Sequence, residues 1–234
     1  MSNPYFKFKQ FTVYHDKCAM KVGTDGVLLG AWCDVAGARR VLDVGTGTGL
    51  IALMIAQRSE AHITALDIDA AAVEQARENC SASPWTERIE VAQADFCSFH
   101  SDALFDCIVS NPPYFVEDVH CPDKQRNMAR HTAGMTFLSL LERVGALLSD
   151  EGRFSVVLPT MAVADFVYQA MRYKLYLSRR TQVCTKLGAQ PKRTLLEFSR
   201  VEKDCQESLL AIETEHHKYT PDFVNLVNDF YLYL

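Results

Sequence analysis

The segment Leu42-Asp43-Val44-Gly45-Thr46-Gly47-Thr48-Gly49-Leu50 restricts this chain more than any other. It joins a short apolar run, Arg40 to Val44, to a segment of helical spacing, Leu50 to Ser59, and so reads as a strand-to-helix turn rich in glycine. Lacking Cβ atoms, such a turn bends tightly and lets a ligand reach main-chain amides. The spacing is G-x-G-x-G, with Leu50 where a dinucleotide fingerprint has its third glycine. No Gly-Lys-Ser/Thr follows, which excludes a phosphate-cradling P-loop.

Strand and helix alternate on both sides of this turn. Ile63 to Leu66, Ile89 to Ala92, Phe105 to Val109 and Arg153 to Leu158 read as strands, and Ala70 to Cys80, Met135 to Leu148 and Ala162 to Tyr173 as helices. Repeated βαβ units predict a parallel sheet covered on both faces. The runs Tyr176 to Lys186, Thr194 to Phe198 and Leu209 to Ile212 have no helices between them, which predicts an antiparallel edge. With 234 residues, 48% hydrophobic and 23% charged, the chain has the balance of a globular protein, and a single domain is expected. Its expected parts are an N-terminal cap (1–38), a core (39–200) and an acidic C-terminal segment (201–234).

No apolar run approaches the roughly 20 residues of a membrane helix, and Met1 to Phe11 has no apolar signal core. A cytoplasmic address is expected. The eight cysteines form no C-x-x-C pair and no cluster with metal-ligand spacing, so they are expected to be reduced thiols, mostly buried, with no metal. From Val201 onward there are seven acids against two lysines, which accounts for the whole net charge of -5. Upstream, Arg172, Lys174, Arg179, Arg180, Lys186, Lys192 and Arg193 form a stretch free of acids. It offers a local basic face, or merely solvates a helix end and two strands.

Asp43, just before the glycine turn, would repel a pyrophosphate but attract a cation. S-adenosylmethionine fits, with a positive sulfonium, a positive α-amino group and no phosphate. Asp67 ends the second strand 18 residues after Gly49, close to where an acid meets ribose hydroxyls in doubly wound nucleotide sites. Asp69 competes for that role or caps the following helix. Asp95 with Phe96 follows the third strand and could bond an adenine amino group and flank the ring. After the fourth strand comes Asn111-Pro112-Pro113-Tyr114. The two prolines stiffen the turn, and the Pro112 carbonyl and the Asn111 side-chain oxygen are two fixed acceptors for the hydrogens of one planar NH2. Tyr114 offers a ring on which a base can stack.

This set resembles the class I S-adenosylmethionine-dependent methyltransferases with the Asn-Pro-Pro-Tyr signature of amino-group methylators. That resemblance implies a Rossmann-like α/β fold with a seven-stranded, mostly parallel sheet, an antiparallel C-terminal edge and helices on both faces. Phe6 to Phe11, Ala19 to Trp32, Ala129-Arg130-His131, Tyr219 to Phe223 and Phe230 to Leu232 further resemble the bacterial valine-tRNA adenine-N6-methyltransferase family. The family methylates the exocyclic amine of adenine 37, immediately 3′ of the anticodon. By position, the resemblance implies that Asp43, Gly45, Gly47 and Gly49 hold the methionine part of the cofactor. Asp67 with Ile68 would hold the ribose, Asp95 and Phe96 the adenine, and Lys21, Gly23, Thr24 and Asp25 would form a cap. Asn111, Pro112 and Tyr114 would hold the target base, Asn111 standing against the cofactor as well.

No separate target-recognition domain is evident, so the catalytic domain itself is expected to grip tRNA. The expected contacts are Lys7, Lys9, Lys17, Lys124, Arg126, Arg130, His131, Lys192 and Arg193. A monomer is expected. The other acceptors for the same chemistry are a release-factor glutamine and ribosomal RNA.

Overall fold

The computed structural model describes residues 3–18, 20–113, 135–215 and 218–234. A hairpin of β1 (Tyr5–Lys7) and β2 (Thr12–Tyr14) leads to α1 (Thr24–Trp32). Strands and helices then alternate through β3 (Arg40–Val44), α2 (Leu50–Arg58), β4 (His62–Asp67), α3 (Ala70–Ser81), β5 (Ile89–Gln93) and β6 (Phe105–Ser110). After them come α4 (Phe137–Leu147), β7 (Leu148–Pro159), α5 (Val163–Met171), β8 (Tyr176–Lys186) and β9 (Arg193–Ser199). The chain ends in β10 (Gln206–Glu215), β11 (Lys218–Tyr219) and α6 (Pro221–Val227).

Nine of these strands form one sheet in the order β11-β10-β8-β9-β7-β6-β3-β4-β5. From β7 through β6, β3 and β4 to β5 every pairing is parallel, and β9 is antiparallel to both β7 and β8. The runs read as strands are β3 to β10, Leu209 to Ile212 falling in β10. The structure corrects the seven-stranded count implied by the resemblance to nine, with β11 the strand of this sheet that no run signals. The edge is also not purely antiparallel, because β10 pairs with β8 in parallel and only β11 turns back. A parallel pair without an intervening helix is formed here by way of β9, which runs between the two strands in sequence.

Buried side chains form two clusters, as expected for a parallel sheet covered on both faces. One gathers α1, α2, α6 and the N-terminal hairpin through Phe8, Leu28, Leu53, Phe223 and Phe230. The other packs α4 and α5 through Leu140, Val144, Phe166 and Phe154. Helix α1 is buried all round from Gly26 to Trp32, so it sits inside the protein rather than on its surface. At Gly30 an added Cβ would lie 2.8 Å from the Met54 sulfur, so the absence of a side chain there brings α1 close against α2.

Candidate cofactor and amine site

The order of strands reverses between β3 and β6, and at such a switch point the loops after the two strands open a crevice at the carboxyl edge. Here those loops are the glycine turn and Asn111-Pro112-Pro113. The two strand ends are tied together, since Val44 lies opposite Ser110 and the Ser110 hydroxyl donates to the Val44 carbonyl at 3.0 Å.

Gly45, Gly47 and Gly49 have φ of 72°, 56° and 82°. At Gly47 an added Cβ would meet nothing within 4 Å, so the turn has open space above it. Gly49 instead packs down, its Cβ position lying 3.2 Å from the Cys80 sulfur. The amides of Gly45 and Thr46 donate to the Leu66 carbonyl at 2.9 and 2.8 Å, and that of Gly47 donates to Asp67 Oδ2 at 2.8 Å. Asp67 Oδ1 accepts from the Asp69 amide at 3.0 Å. Each carboxylate oxygen keeps a further lone pair, so Asp67 is rigidly aimed and still able to accept two vicinal hydroxyls. Asp69 is the N-cap of α3, accepting from the Ala71 amide at 3.1 Å.

Asp43 is fully buried beneath the turn. Its Oδ2 accepts from the Thr46 hydroxyl at 2.6 Å, while Oδ1 has no hydrogen-bond partner. Burial, aided by the charge of Asp67, pushes its carboxyl up to about 7, against the opposing effect of the Thr46 hydroxyl. An under-satisfied buried acid below an open glycine turn fits a cationic ligand. Ile68 is exposed beside Asp67, and Asp95 is exposed with Oδ1 accepting from the Cys97 amide at 2.9 Å.

Phe96 corrects one expectation. It is 5% exposed and packs with Leu42, Leu66 and Phe105, so its ring belongs to the core and does not flank a ligand.

Asn111 follows β6 with its side chain toward α1: the Nδ2 atom is 4.0 Å from the position a Cβ on Gly26 would take. Pro112 is buried. Lys21 and Thr24 are exposed where the chain enters α1, and Asp25 on its first turn pairs with Arg193 Nε at 2.8 Å. Arg193 is therefore tied to the cap segment and does not stand free for RNA. Tyr114, Lys124, Arg126, Arg130 and His131 lie outside the described residues.

Three of the seven cations of the basic stretch are answered from within the chain. Arg179 pairs with Glu197 at 2.7 Å and lies over the Trp32 ring, and Arg180 pairs with Glu207. In β10, Glu207 and Glu213 stand opposite Arg180 and Lys186 of β8, and of the two acids only Glu207 makes an ion pair among the described residues. Lys192 remains exposed at the carboxyl edge. Lys17 is bound between Glu74 and Glu78 at 2.6 Å each. Lys7 is exposed near the hairpin turn. Lys9 donates to the Asn228 carbonyl at 2.6 Å and lies by Gln57 and Arg58, at the far end of α2 from the glycine turn. Nine helical residues put it about 13 Å from the glycine turn, at the opposite edge of the sheet.

Asn79 was not singled out in the sequence, yet it holds the site together. Buried on α3, it donates to the Thr48 carbonyl and exchanges two hydrogen bonds with the Tyr14 backbone, each at 2.9 Å. This fastens the N-terminal hairpin to the glycine turn. The available signal was an amide on the helix face otherwise set by Ala72, Val73, Ala76 and Cys80.

The fold and this crevice define a class I S-adenosylmethionine-dependent methyltransferase. The methyltransferase small domain family matches residues 20–162. Relatives named tRNA1(Val) (adenine(37)-N6)-methyltransferase include one from Phocaeicola vulgatus, 56% identical over 99% of both chains. Others are from Bacteroides thetaiotaomicron, 52% identical over 100% of both, and Pasteurella multocida, 48% identical over 97% of this chain and 96% of the relative. The chain belongs to the tRNA1(Val) (adenine(37)-N6)-methyltransferase family. Among solved structures, a predicted O-methyltransferase from Agrobacterium tumefaciens superposes with a TM-score of 0.68 at 22% identity, covering 88% of this chain and 96% of that one. The glycopeptide N-methyltransferase MtfA with S-adenosylmethionine gives 0.56 at 15% identity, over 79% and 90%. These two show the fold.

Proposed function

We propose that this chain methylates the exocyclic N6 amine of adenine 37 in valine tRNA, working as a monomer in the cytoplasm. Free thiols at all seven described cysteines, four of them buried, support a reducing compartment, and no described helix is long and apolar enough to cross a membrane. The observation that carries the reading is the junction of β3 and β6, where the glycine turn with buried Asp43 stands beside Asn111-Pro112.

The bound cofactor supplies an electrophilic methyl group. The residues to hold it are Asp43 and the glycine turn for the cationic amino-acid part, Asp67 with Ile68 for the ribose, and Asp95 for the adenine, under the cap formed by Lys21 and Thr24. The Asn111 side-chain oxygen and the Pro112 carbonyl accept the two amine hydrogens of the target base and fix its plane, with Tyr114 stacking on the ring. Positive charge develops on that nitrogen during transfer, and the two fixed acceptors stabilise it most strongly at that moment. The amine therefore attacks neutral, and its surplus proton leaves afterwards.

Incubating the purified chain with unmodified valine tRNA and labelled donor should yield N6-methyladenosine at position 37 by nucleoside mass spectrometry. Asn111→Ala should lower turnover about 100-fold while largely sparing cofactor affinity. Methylation of a Gly-Gly-Gln peptide with no RNA product would overturn the RNA reading in favour of a glutamine acceptor.

A further inference from the structure

A second crevice opens at the same sheet edge. Thr24, Thr185, Ile212, Glu213, Tyr219, Phe223 and Tyr231 enclose about 270 Å³. That is small for a drug-sized ligand and suits one planar ring system. Its walls are aromatic: Tyr219 is 40% exposed, its ring is 4.9 Å from that of Phe223, and Phe223 is 6.3 Å from Tyr231. Burial pushes the Tyr231 phenol up to about 12, so it stays a neutral hydroxyl. The polar groups are the Thr24 and Thr185 hydroxyls and the Glu213 carboxylate, which is half-buried and has no hydrogen bond or ion pair among the described residues.

Strands β8 and β10 both end here, beside the start of α1. Thr24 precedes by two residues Gly26, where Asn111 approaches. Two helical residues advance only about 3 Å along the axis but turn about 200° around it. The crevice therefore lies across α1 from Asn111, one helix diameter of about 10 Å from the amine site, which an unstacked strand spans in a nucleotide or two.

We propose that this crevice is a second base pocket, taking an unstacked, amino-bearing nucleobase adjacent to the one being methylated. The base stacks on Tyr219, and Glu213 reads its edge. An aromatic face accepts any base, but a carboxylate is an acceptor only. It favours guanine, adenine or cytosine, which present an NH2, over uracil, whose single N–H lies between two carbonyls. This assignment rests on the tRNA reading above and adds to it a determinant of sequence.

The test uses the full chain, wild type against Tyr219→Ala and Glu213→Ala, with Tyr168→Ala as a surface control and a thermal melt for each. RNA affinity is measured by fluorescence anisotropy on labelled valine tRNA, independently of methyl transfer, together with kcat and KM. Both pocket variants should weaken tRNA binding and raise KM roughly five-fold or more, with cofactor affinity and melting unchanged. Transcripts with uridine placed on either side of the target should bind wild type less well at one of the two positions, and Glu213→Ala should lose that preference. Unchanged KM in both variants, no preference against uridine in wild type, or a wild type that binds no RNA would each overturn the pocket. Weakened binding in the variants with no adenine methylation by wild type would support the pocket and overturn the reaction.

Discussion

The Gly47 amide donates to Asp67 Oδ2 at 2.8 Å, so the turn after β3 and the acid ending β4 are one rigid unit. Its glycines do different work. Alanine at Gly47 strains a φ of 56° but meets no atom, and its methyl projects into the open space above the turn. Alanine at Gly49 strains a φ of 82° and also presses on Cys80 and Ala76. Gly47→Ala should melt within about 1–2 kcal/mol of wild type yet lose cofactor binding, as read by calorimetry. Gly49→Ala should be the less stable of the two. Equal stability with binding kept in both would show that the space above Gly47 is not the ligand's.

Asp43 makes the apo protein and its complex respond oppositely to pH. From the ordinary carboxylate range up to about 7, the folded chain keeps a proton that the unfolded chain has released. The contribution of Asp43 to stability therefore falls as pH rises through that window and is constant above it. Asp43→Asn should melt higher than wild type at pH 8, with the gap closing toward pH 5. A cationic ligand favours the ionised form, so cofactor affinity of wild type should weaken about ten-fold from pH 8 to pH 6. The asparagine variant should show a flat profile. A parallel pH dependence in both proteins would assign the effect to another group.

Remote from this edge, Arg179 pairs with Glu197, donates to the Trp32 carbonyl at 3.0 Å and covers the Trp32 ring, while Glu197 is 5% exposed. Arg179→Met keeps most of the packing but leaves a buried carboxylate without its cation, with only the Ser178 hydroxyl at 3.3 Å beside it. The expected loss is about 2–3 kcal/mol by denaturant unfolding, with KM for tRNA unchanged. A smaller loss in Arg179→Met/Glu197→Gln than in the single variant would confirm that the unpaired acid causes it.

Much of the sheet was legible because strands buried on both faces read as unbroken apolar runs. β3 spans Arg40 to Val44 as expected, and the glycine turn and Asn111 follow their strands. The short elements escaped. β1 and β2 have three residues each, and α6 was signalled only by Thr220 as N-cap with Pro221 behind it. Pairings between distant residues leave no local pattern. That Glu207 answers Arg180 follows from the strand order, while that Asp25 holds Arg193 and that Phe96 turns inward follow from how α1 and the loop after β5 pack on the sheet. This is why a stretch that looked uniformly basic in sequence is in part neutralised in space.

Two lysines distinguish the edge proposed to meet RNA from the opposite edge. Lys192 is exposed beside Arg193, at the end of the sheet where Asn111 lies, and neutralising a phosphate there releases a counterion. Lys9 is bound to the Asn228 carbonyl at the opposite end of α2. Lys192→Ala should weaken tRNA binding a few-fold and reduce the slope of log affinity against log salt by about 1. Lys9→Ala should leave both unchanged while slightly lowering the melting temperature, through the lost tie between the hairpin and the C-terminal segment. An unchanged slope for Lys192→Ala with a reduced one for Lys9→Ala would place the RNA across the N-terminal hairpin, and the orientation argued from the carboxyl edge would be reversed.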